Sequence, residues 1–249
     1  MNKVVVIFAL LGLGISCKTS KQEAALPIPP PLPKIEYFDY TQFDLEVGDI
    51  LFQDSDCGPF CTSIEKVTSG IAGANFSHVG MVIPTEKRGL MVLEAISKGV
   101  VLTPLDTFFV RSFDANNQSK VVVGRMKEVH KALIPRAVDF AKTKIGLAYD
   151  DVFNIYNDRY YCSELIYDAF KFANGNQAIF QLEPMTYIDP DTEETFPIWA
   201  DYFQKLQVPI PEGEPGLNPG GMSMSPYIDI VHFYGKPSGY KGEMTSLSK

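Results

Sequence analysis

Few residues of this chain are capable of nucleophilic chemistry. It has 249 residues, among them four cysteines and three histidines. A cysteine attacks as its thiolate, and a nearby histidine can take the thiol proton and later deliver it to a leaving group. A cysteine-dependent site must therefore draw on a small set of side chains: Cys17, Cys57, Cys61 and Cys162 with His78, His130 and His232.

Cys162 has the sequence context of an activated thiol. Apolar side chains follow it at helical spacing, at positions 165, 166, 169, 170 and 173, which places Cys162 at the amino end of a predicted helix. The partial positive charge at that end favours a thiolate. Glu164 is in the first turn, where an acidic side chain suits the helix dipole. Cys162 is therefore the candidate nucleophile.

The candidate base, His78, lies on a predicted hairpin. Residues 77–83 and 91–95 are predicted strands, and a turn-rich segment at 84–89 separates them. If Val82 pairs with Leu90, the antiparallel register places His78 opposite Glu94. Cβ atoms of direct cross-strand partners are about 5 Å apart, so a carboxylate can reach an imidazole. Such a carboxylate would fix the tautomer and orientation of the ring.

The remaining pattern predicts a mixed α and β domain. Strands are predicted at 49–52, 121–126 and 228–234, and helices at 62–69, 132–145 and 195–207. Thr195 is the predicted N-cap of the last helix, with Pro197 tolerated early in it. His130 falls in a solvated segment and His232 shares a strand face with Ile230, so we assign both to structure. The Gly- and Pro-rich loop at 209–226 is typical of a functional wall or a mobile segment.

Four short motifs, in order, resemble a known family. They are Gly48-Asp49-Ile50-Leu51-Phe52, Ser77-His78-Val79-Gly80-Met81-Val82, Leu93-Glu94-Ala95 and Tyr160-Tyr161-Cys162-Ser163-Glu164-Leu165. The set resembles the permuted NlpC-type papain-like cysteine hydrolases, in particular their YiiX/YaeF branch. In that branch the histidine strand precedes the cysteine helix, the reverse of ordinary papain-like enzymes. This chain has the permuted order, and the resemblance extends from Gly48 to the terminal strand, including the segment 211–226.

The resemblance implies a fold and a set of roles. The fold would be α+β, a circularly permuted papain-like domain with an antiparallel sheet or small barrel packed against helices. Cys162 would be the nucleophile of acyl transfer to water, His78 the base that then protonates the leaving group, and Glu94 the residue that orients the imidazole. The backbone N–H of Cys162 would be one oxyanion donor, with Tyr160 or Tyr161 as candidates for another.

Two further cysteines flank a short segment. Cys57 and Cys61 enclose Gly58-Pro59-Phe60, and in an oxidising compartment they can form a disulfide, bind a metal or remain two thiols. A metal is the least favoured of these, because no second Cys or His pair stands nearby in sequence. We therefore expect no metal and no cofactor. Asp49, from the Gly-Asp motif, is left outside the catalytic set because a structural role in its turn is at least as favoured.

The first 17 residues are typical of an export signal. Residues 4–15 are almost all apolar, too few for the ~20 residues of a spanning helix but suited to a signal-peptide core. They end in Gly14-Ile15-Ser16-Cys17, which resembles a bacterial lipoprotein box with Cys17 lipidated; an ordinarily cleaved secretory signal is the alternative. Residues 18–40 contain a proline-rich stretch that predicts an extended tether. The hydrolase domain would occupy residues 41–249.

Charge and location limit the partners. The chain has 30 acidic and 22 basic side chains and a net charge of −8, which excludes duplex nucleic acid as a partner because phosphate neutralisation needs a basic surface. We expect a cell-envelope lipoprotein, on the bacterial outer membrane, that contacts the membrane through its anchor. Its substrate would be an amide in a peptidoglycan stem peptide, a small peptide or an N-acyl compound.

Two alternatives use the same residues differently. One is acyl hydrolysis or acyl transfer on lipids, and the other is a non-catalytic envelope protein that binds peptide or glycan. An acyl-chain enzyme should line its cleft with a long apolar channel, whereas a peptide amidase should present polar and charged groups. Phe108-Phe109 and the loop 209–226 are the segments whose position would discriminate between them.

Overall fold

The computed structural model describes residues 38–243, so the predicted signal, Cys17 and most of the tether lie outside it. Its strands are β1 (Ile50–Gln53), β2 (His78–Thr85), β3 (Gly89–Ile96), β4 (Gly99–Pro104), β5 (Val121–Met126), β6 (Glu183–Pro184), β7 (Pro215–Gly216) and β8 (Ile228–Phe233). Its α-helices are α1 (Pro59–Val67), α2 (Leu105–Val110), α3 (Glu128–Lys131), α4 (Ile134–Lys142), α5 (Cys162–Ala173), α6 (Pro197–Leu206) and α7 (Pro219–Ser223).

Six strands form one antiparallel sheet in the order β4-β3-β2-β1-β5-β8. On one face, α5 packs against β2 and β3, and α4 packs on α5. The other face is covered by α2 and the start of the domain, with Phe108 and Phe109 fully buried there. Burial of both faces explains why the central strands are almost continuously apolar rather than alternating. The predicted α+β class, an antiparallel sheet packed against helices, is confirmed.

The hairpin of β2 and β3 differs in register from the prediction. Val82 pairs with Val92, two residues away from the predicted partner Leu90. Both strands run further into the predicted turn, and Thr85 still pairs with Gly89. Gly89 has a positive φ of 68°, a conformation that glycine adopts without strain and that closes the tight connection.

A shift of two residues leaves every side chain on its original face, because strand side chains alternate with a period of two. His78 and Glu94 therefore still share one face, as diagonal rather than direct neighbours. Gly80 is on β2, two residues after His78, and a Cβ atom there would collide with the side chain of Val92. The hairpin thus requires glycine at this position.

Most of the other predicted elements are present, with changed bounds. The predicted helix at 132–145 is α4, which begins at Ile134 and ends at Lys142 with the short α3 before it. Thr195 is not the N-cap of α6, because it is held extended in a bridge with Ile188; Phe196 occupies the cap without a side-chain hydrogen bond. β4 and α2 have no counterpart in the sequence prediction.

The loop at 209–226 is built from ordered pieces. β7 pairs with β6, and α7 follows with Asn218 as its N-cap, whose Oδ1 accepts a hydrogen bond of 2.7 Å from the N–H of Gly220. Beside this segment, α1 and α6 meet in an aromatic cluster: Phe153, Tyr161, Tyr187, Phe196, Trp199 and Phe203. Within residues 38–243, every helix is too short or too polar to cross a bilayer.

Candidate active site

Cys162, His78 and Glu94 come together at one end of the sheet. His78 is the first residue of β2, and its Nε2 lies 2.6 Å from Oε2 of Glu94. The same ring neighbours Cys162, the first residue of α5, and the two groups interact electrostatically. Because Nε2 faces the carboxylate, Nδ1 is the ring nitrogen left for the thiol. The three side chains thus form a Cys–His–Glu arrangement.

Glu94 is fully buried and held from several sides. Besides His78, it accepts hydrogen bonds from the hydroxyl of Thr103 and from Nη2 of Arg111, which lies 2.8 Å from Oε1 and 2.7 Å from Oε2. Burial by itself raises the pKa of Glu94, but the hydrogen bond to His78 and the positive charges of His78 and Arg111 outweigh it and lower the pKa to about 2. Glu94 is therefore a carboxylate at any physiological pH.

The charge state of His78 follows from its two partners. Burial opposes a charged ring, but the hydrogen bonds with Cys162 and Glu94, and the negative charges beside it, raise the pKa of His78 to about 9. The ring is therefore an imidazolium at neutral pH. An imidazolium next to a cysteine favours the thiolate, which is the nucleophilic form. Cys162 is 8% exposed, and it is the one free cysteine within the described part of the chain.

Arg111 and Thr103 are site residues that the sequence analysis missed. Thr103 is on β4 and Arg111 directly follows α2, the two elements without a sequence prediction. Arg111 also lies over the ring of Phe108, with its guanidinium carbon 5.0 Å from the ring centroid. A buried carboxylate requires a positively charged or hydrogen-bonding partner, but no spacing in the sequence indicates which arginine provides it.

The start of α5 exposes backbone donors beside the thiol. The first N–H groups of a helix have no partner within the helix, so they are available to an anion at this end. Oε2 of Glu164 accepts a hydrogen bond of 3.1 Å from the N–H of Tyr161. Burial raises the pKa of Glu164 to about 9. Glu164 lies in the first turn of α5, as predicted.

The two predicted tyrosines have different surroundings. Tyr161 lines the cavity in front of Cys162, and its hydroxyl oxygen accepts a hydrogen bond of 3.1 Å from the N–H of Leu217. Tyr160 is buried outside the cavity lining, beside Lys144, whose Nζ is 5.5 Å from the ring centroid. Tyr149, missed by the sequence analysis, lines the cavity as well. Burial, with the negative charge of Cys162 beside it, raises the pKa of Tyr149 well above the ordinary value, so its hydroxyl stays protonated.

A cavity of about 1380 Å³ opens in front of Cys162. One wall comes from the sheet end and includes small polar side chains: Ser55, Ser77 and Ser97. The other walls come from α1, α6, the segment around β6 and the 209–226 segment, and they are mainly apolar and aromatic: Phe60, Trp199, Met185, Leu217 and Met222. The 209–226 segment is therefore a wall of the cavity. Phe108 and Phe109, the other segment in question, are outside its lining.

Cys57 and Cys61 form a disulfide at the start of α1, and both line the cavity.

Neither of the two other histidines belongs to the lining. His130 packs edge-on against Tyr227, with ring centroids 4.7 Å apart, and His232 stacks on Phe43 at 4.5 Å.

Asp49 also has a structural position. Its Oδ1 and Oδ2 accept hydrogen bonds of 2.7 Å and 2.8 Å from Nε and Nη2 of Arg125, and Oδ2 accepts one of 2.7 Å from the N–H of Glu46. It therefore holds the turn before β1 and stands apart from the cavity lining, as the sequence analysis favoured.

Comparisons with known proteins identify the family of this chain. The family model of the permuted papain-like amidase enzymes, YaeF/YiiX, C92 family, matches residues 44–232. The uncharacterized protein YiiX of Escherichia coli K12 is 28% identical over 130 residues, which is 52% of this chain and 59% of the relative. The crystal structure of metalloprotein yiiX from Escherichia coli O157:H7 is 24% identical with a TM-score of 0.62, covering 78% of this chain and 100% of that one.

Across residues 38–243, no group of three or more His, Cys, Asp or Glu side chains is arranged to hold a metal ion. His78 contacts Cys162 and Glu94, but Glu94 is also held by Arg111, a cation where a metal would need an open ligand. These residues therefore do not fit a metal site.

The order of the motifs, the fold and the match to the family model all lead to the same conclusion. The histidine strand precedes the cysteine helix, the sheet is antiparallel with helices packed against it, and the family model covers most of the domain. The enzyme prediction, a cysteine hydrolase acting on amide bonds, is confirmed at that level. This chain belongs to the permuted papain-like amidase family, YaeF/YiiX.

Proposed function

We propose that this chain hydrolyses the amide bond of an N-acyl compound, with Cys162 as the nucleophile, His78 as the acid and base, and Glu94 as the residue that orients His78. The observation that carries the proposal is the pair of contacts made by His78, with Cys162 on one side and with Glu94 at 2.6 Å on the other. A base held by a third group beside a nucleophile is the arrangement that covalent catalysis requires.

The steps follow from these positions. The Cys162 thiolate attacks the carbonyl carbon, and the C–N bond breaks as the His78 imidazolium gives its proton to the departing amine. The acyl group then remains on sulfur as a thioester. Neutral His78 next takes a proton from water, the hydroxide oxygen attacks the thioester, and the acid leaves as the thiolate is restored. Glu94 keeps the ring aligned throughout and stabilises its positive charge.

Charge develops on the carbonyl oxygen in both steps. We assign one donor to the backbone N–H of Cys162, because the first N–H groups of a helix are unpaired. The second donor is a hydroxyl that lines the cavity, Tyr161 or Tyr149. Tyr160 lies outside the lining and is not proposed for this role.

The cavity favours an acyl chain over a peptidoglycan stem peptide. Its larger walls, from α1, α6 and the 209–226 segment, are mainly apolar, and charged side chains are few. An apolar chain gains about 0.8 kcal/mol per buried methylene. The same feature supports the second candidate, hydrolysis or transfer of a lipid ester by the same residues. The amide is preferred because the family is one of amidases.

The test is to label the soluble domain, without residues 1–34, with a thiol-reactive probe across the pH range and to locate the modified cysteine by mass spectrometry. We expect fast labelling of Cys162 that depends on His78, because an adjacent imidazolium increases the reactivity of a cysteine. His78→Ala should remove this fast phase, and Cys162→Ala should abolish turnover of an N-acyl substrate.

His130→Ala is the matched control, since it removes a histidine outside the cavity. Its labelling profile should match that of the parent protein. Slow labelling of Cys162 at every pH in the folded protein, with normal labelling after unfolding, would identify a structural thiol and contradict the proposal.

A further inference from the structure

Arg111 is the one lysine or arginine among the described residues that line the cavity. Its side chain is 32% exposed, and within residues 38–243 its hydrogen bonds to Glu94 all come from Nη2. An arginine has N–H donors on Nε and on both terminal nitrogens. The donors on Nε and Nη1 are therefore not used by Glu94.

The position of Arg111 relative to His78 defines which half of a substrate it meets. A single oxygen, Oε2 of Glu94, joins them, 2.6 Å from Nε2 of His78 and 2.7 Å from Nη2 of Arg111. His78 must deliver its proton to the departing nitrogen, so the amine half of the substrate lies on the His78 side. Arg111 also lines the cavity and contacts the same carboxylate as His78.

The acidic side chains of the cavity lie on other walls. Glu183 is on β6, and Asp151 accepts a hydrogen bond of 3.2 Å from the hydroxyl of Tyr202 on α6. These carboxylates disfavour an anion among the helices and the 209–226 segment. The wall at the sheet end, by contrast, combines Arg111 with the hydroxyls of Ser55, Ser77 and Ser97.

We infer that Arg111 binds a carboxylate on the amine half of the substrate, so that the enzyme cleaves N-acyl amino acids. This inference rests on the proposed function and adds its substrate class. The acyl chain occupies the apolar walls, the amide lies between Cys162 and His78, and the carboxylate meets the N–H groups on Nε and Nη1. The products are a fatty acid and a free amino acid, with one water consumed.

The test compares N-decanoylglycine with N-decanoylglycinamide, which differ in charge but not in chain length. We expect the parent enzyme to prefer the carboxylate by about 10- to 100-fold in kcat/KM, mainly through KM, as for a charge-assisted hydrogen bond. Arg111→Gln should abolish this preference, and Arg111→Lys should retain part of it. Equal kcat/KM values for the two compounds in the parent enzyme would overturn the inference.

Thr103→Val is the matched control, because Thr103 also contacts Glu94 but is not part of the cavity lining. It should lower turnover of both compounds by the same factor and leave the preference intact. If Arg111→Gln behaves in this way too, Arg111 only positions Glu94, and the carboxylate assignment is wrong.

Binding to the Cys162→Ala variant separates this inference from the proposed function. Calorimetric titration should show about 10-fold or tighter binding of N-decanoylglycine than of N-decanoylglycinamide, lost in Cys162→Ala/Arg111→Gln. That preference, found without turnover in the parent enzyme, would support the Arg111 site while contradicting the proposed hydrolysis. Equal binding of both compounds would contradict the Arg111 site whatever the turnover.

Discussion

At the scale of single residues, the site depends on one buried carboxylate. Glu94 is fully buried, yet it receives hydrogen bonds from His78, Thr103 and Arg111. A buried charge is tolerated only when it is paired and hydrogen-bonded. The same pairing that stabilises Glu94 raises the pKa of His78, so stability and the proposed catalysis share one interaction.

Glu94→Gln should retain partial activity. The glutamine keeps the shape of the side chain but removes its charge, so the pKa of His78 falls from about 9. We expect kcat to fall by about 10- to 100-fold, within the range of contributions from acid–base catalysis. The upper limit of the pH–activity profile should also move to lower pH. A profile with an unchanged upper limit would mean that Glu94 does not set the charge of His78.

Glu94→Gln should also change the pH dependence of the unfolding free energy. The raised pKa of His78 adds stability that is complete below its ordinary value of 6.5 and is lost as the pH rises through about 9. The lowered pKa of Glu94 adds stability above its ordinary value of 4.5 that is lost as the pH falls through about 2. The difference in unfolding free energy between parent and variant should therefore be largest between pH 4.5 and 6.5, on the order of 1–3 kcal/mol.

Asp49→Asn is the matched control for both measurements. It neutralises another buried carboxylate paired with an arginine, but one outside the cavity lining. Its unfolding free energy should fall while its pH–activity profile stays that of the parent.

At the scale of elements, the sequence predicted the parts with strong periodicity. The helix of Cys162 and the strand of His78 were both found, and the error of two residues in the β2–β3 register did no harm because the faces are preserved. β4 escaped prediction because it is a short edge strand without regular alternation of buried and exposed residues. α2 escaped because it has only six residues and is buried on the second face of the sheet. Thr103 and Arg111 were missed for these reasons.

The disulfide of Cys57 and Cys61 should affect substrate binding more than chemistry. It closes a loop with a sequence separation of 4 at the start of α1, and both cysteines line the cavity. In the double variant Cys57→Ser/Cys61→Ser we expect a loss of about 2 kcal/mol in unfolding free energy, as chain entropy gives for so short a loop. KM should rise while kcat changes little, as measured by steady-state kinetics.

Mild reduction of the parent protein should reproduce both effects, and its reoxidation should reverse them. A large fall in kcat at constant KM would instead show that α1 acts on the catalytic residues and not on the cavity wall.

At the scale of the whole molecule, some features of the described domain could be predicted from the sequence and others could not. The fold and the Cys–His–Glu set were predictable because four motifs occur in a diagnostic order. The cavity walls were not, since they bring together α1, α6 and residues 209–226, which are distant in sequence. Only the folded chain shows that the 209–226 segment faces the nucleophile.

We propose that residues 1–17 export the protein and that lipidated Cys17 anchors it to the cell envelope. Cys17→Ser should move the protein from the membrane fraction to the soluble fraction, because a lipid chain is then no longer attached. Fractionation followed by mass spectrometry of the mature N-terminus measures the change. An unchanged membrane fraction would contradict the anchor, whereas cleavage without lipid in the parent protein would favour an ordinary secretory signal.

The positions of the three proposed catalytic residues in the sequence indicate the order in which the site forms during folding. His78 and Glu94 are 16 residues apart on one hairpin, whereas Cys162 is on a helix that is distant from this hairpin in sequence. Local contacts close faster than distant ones during folding. The thiol therefore gains its charged partner only when this long-range contact forms, and a chain without the contact carries an ordinary, slow-reacting cysteine. The labelling rate of Cys162 at neutral pH is consequently a gauge of completed folding.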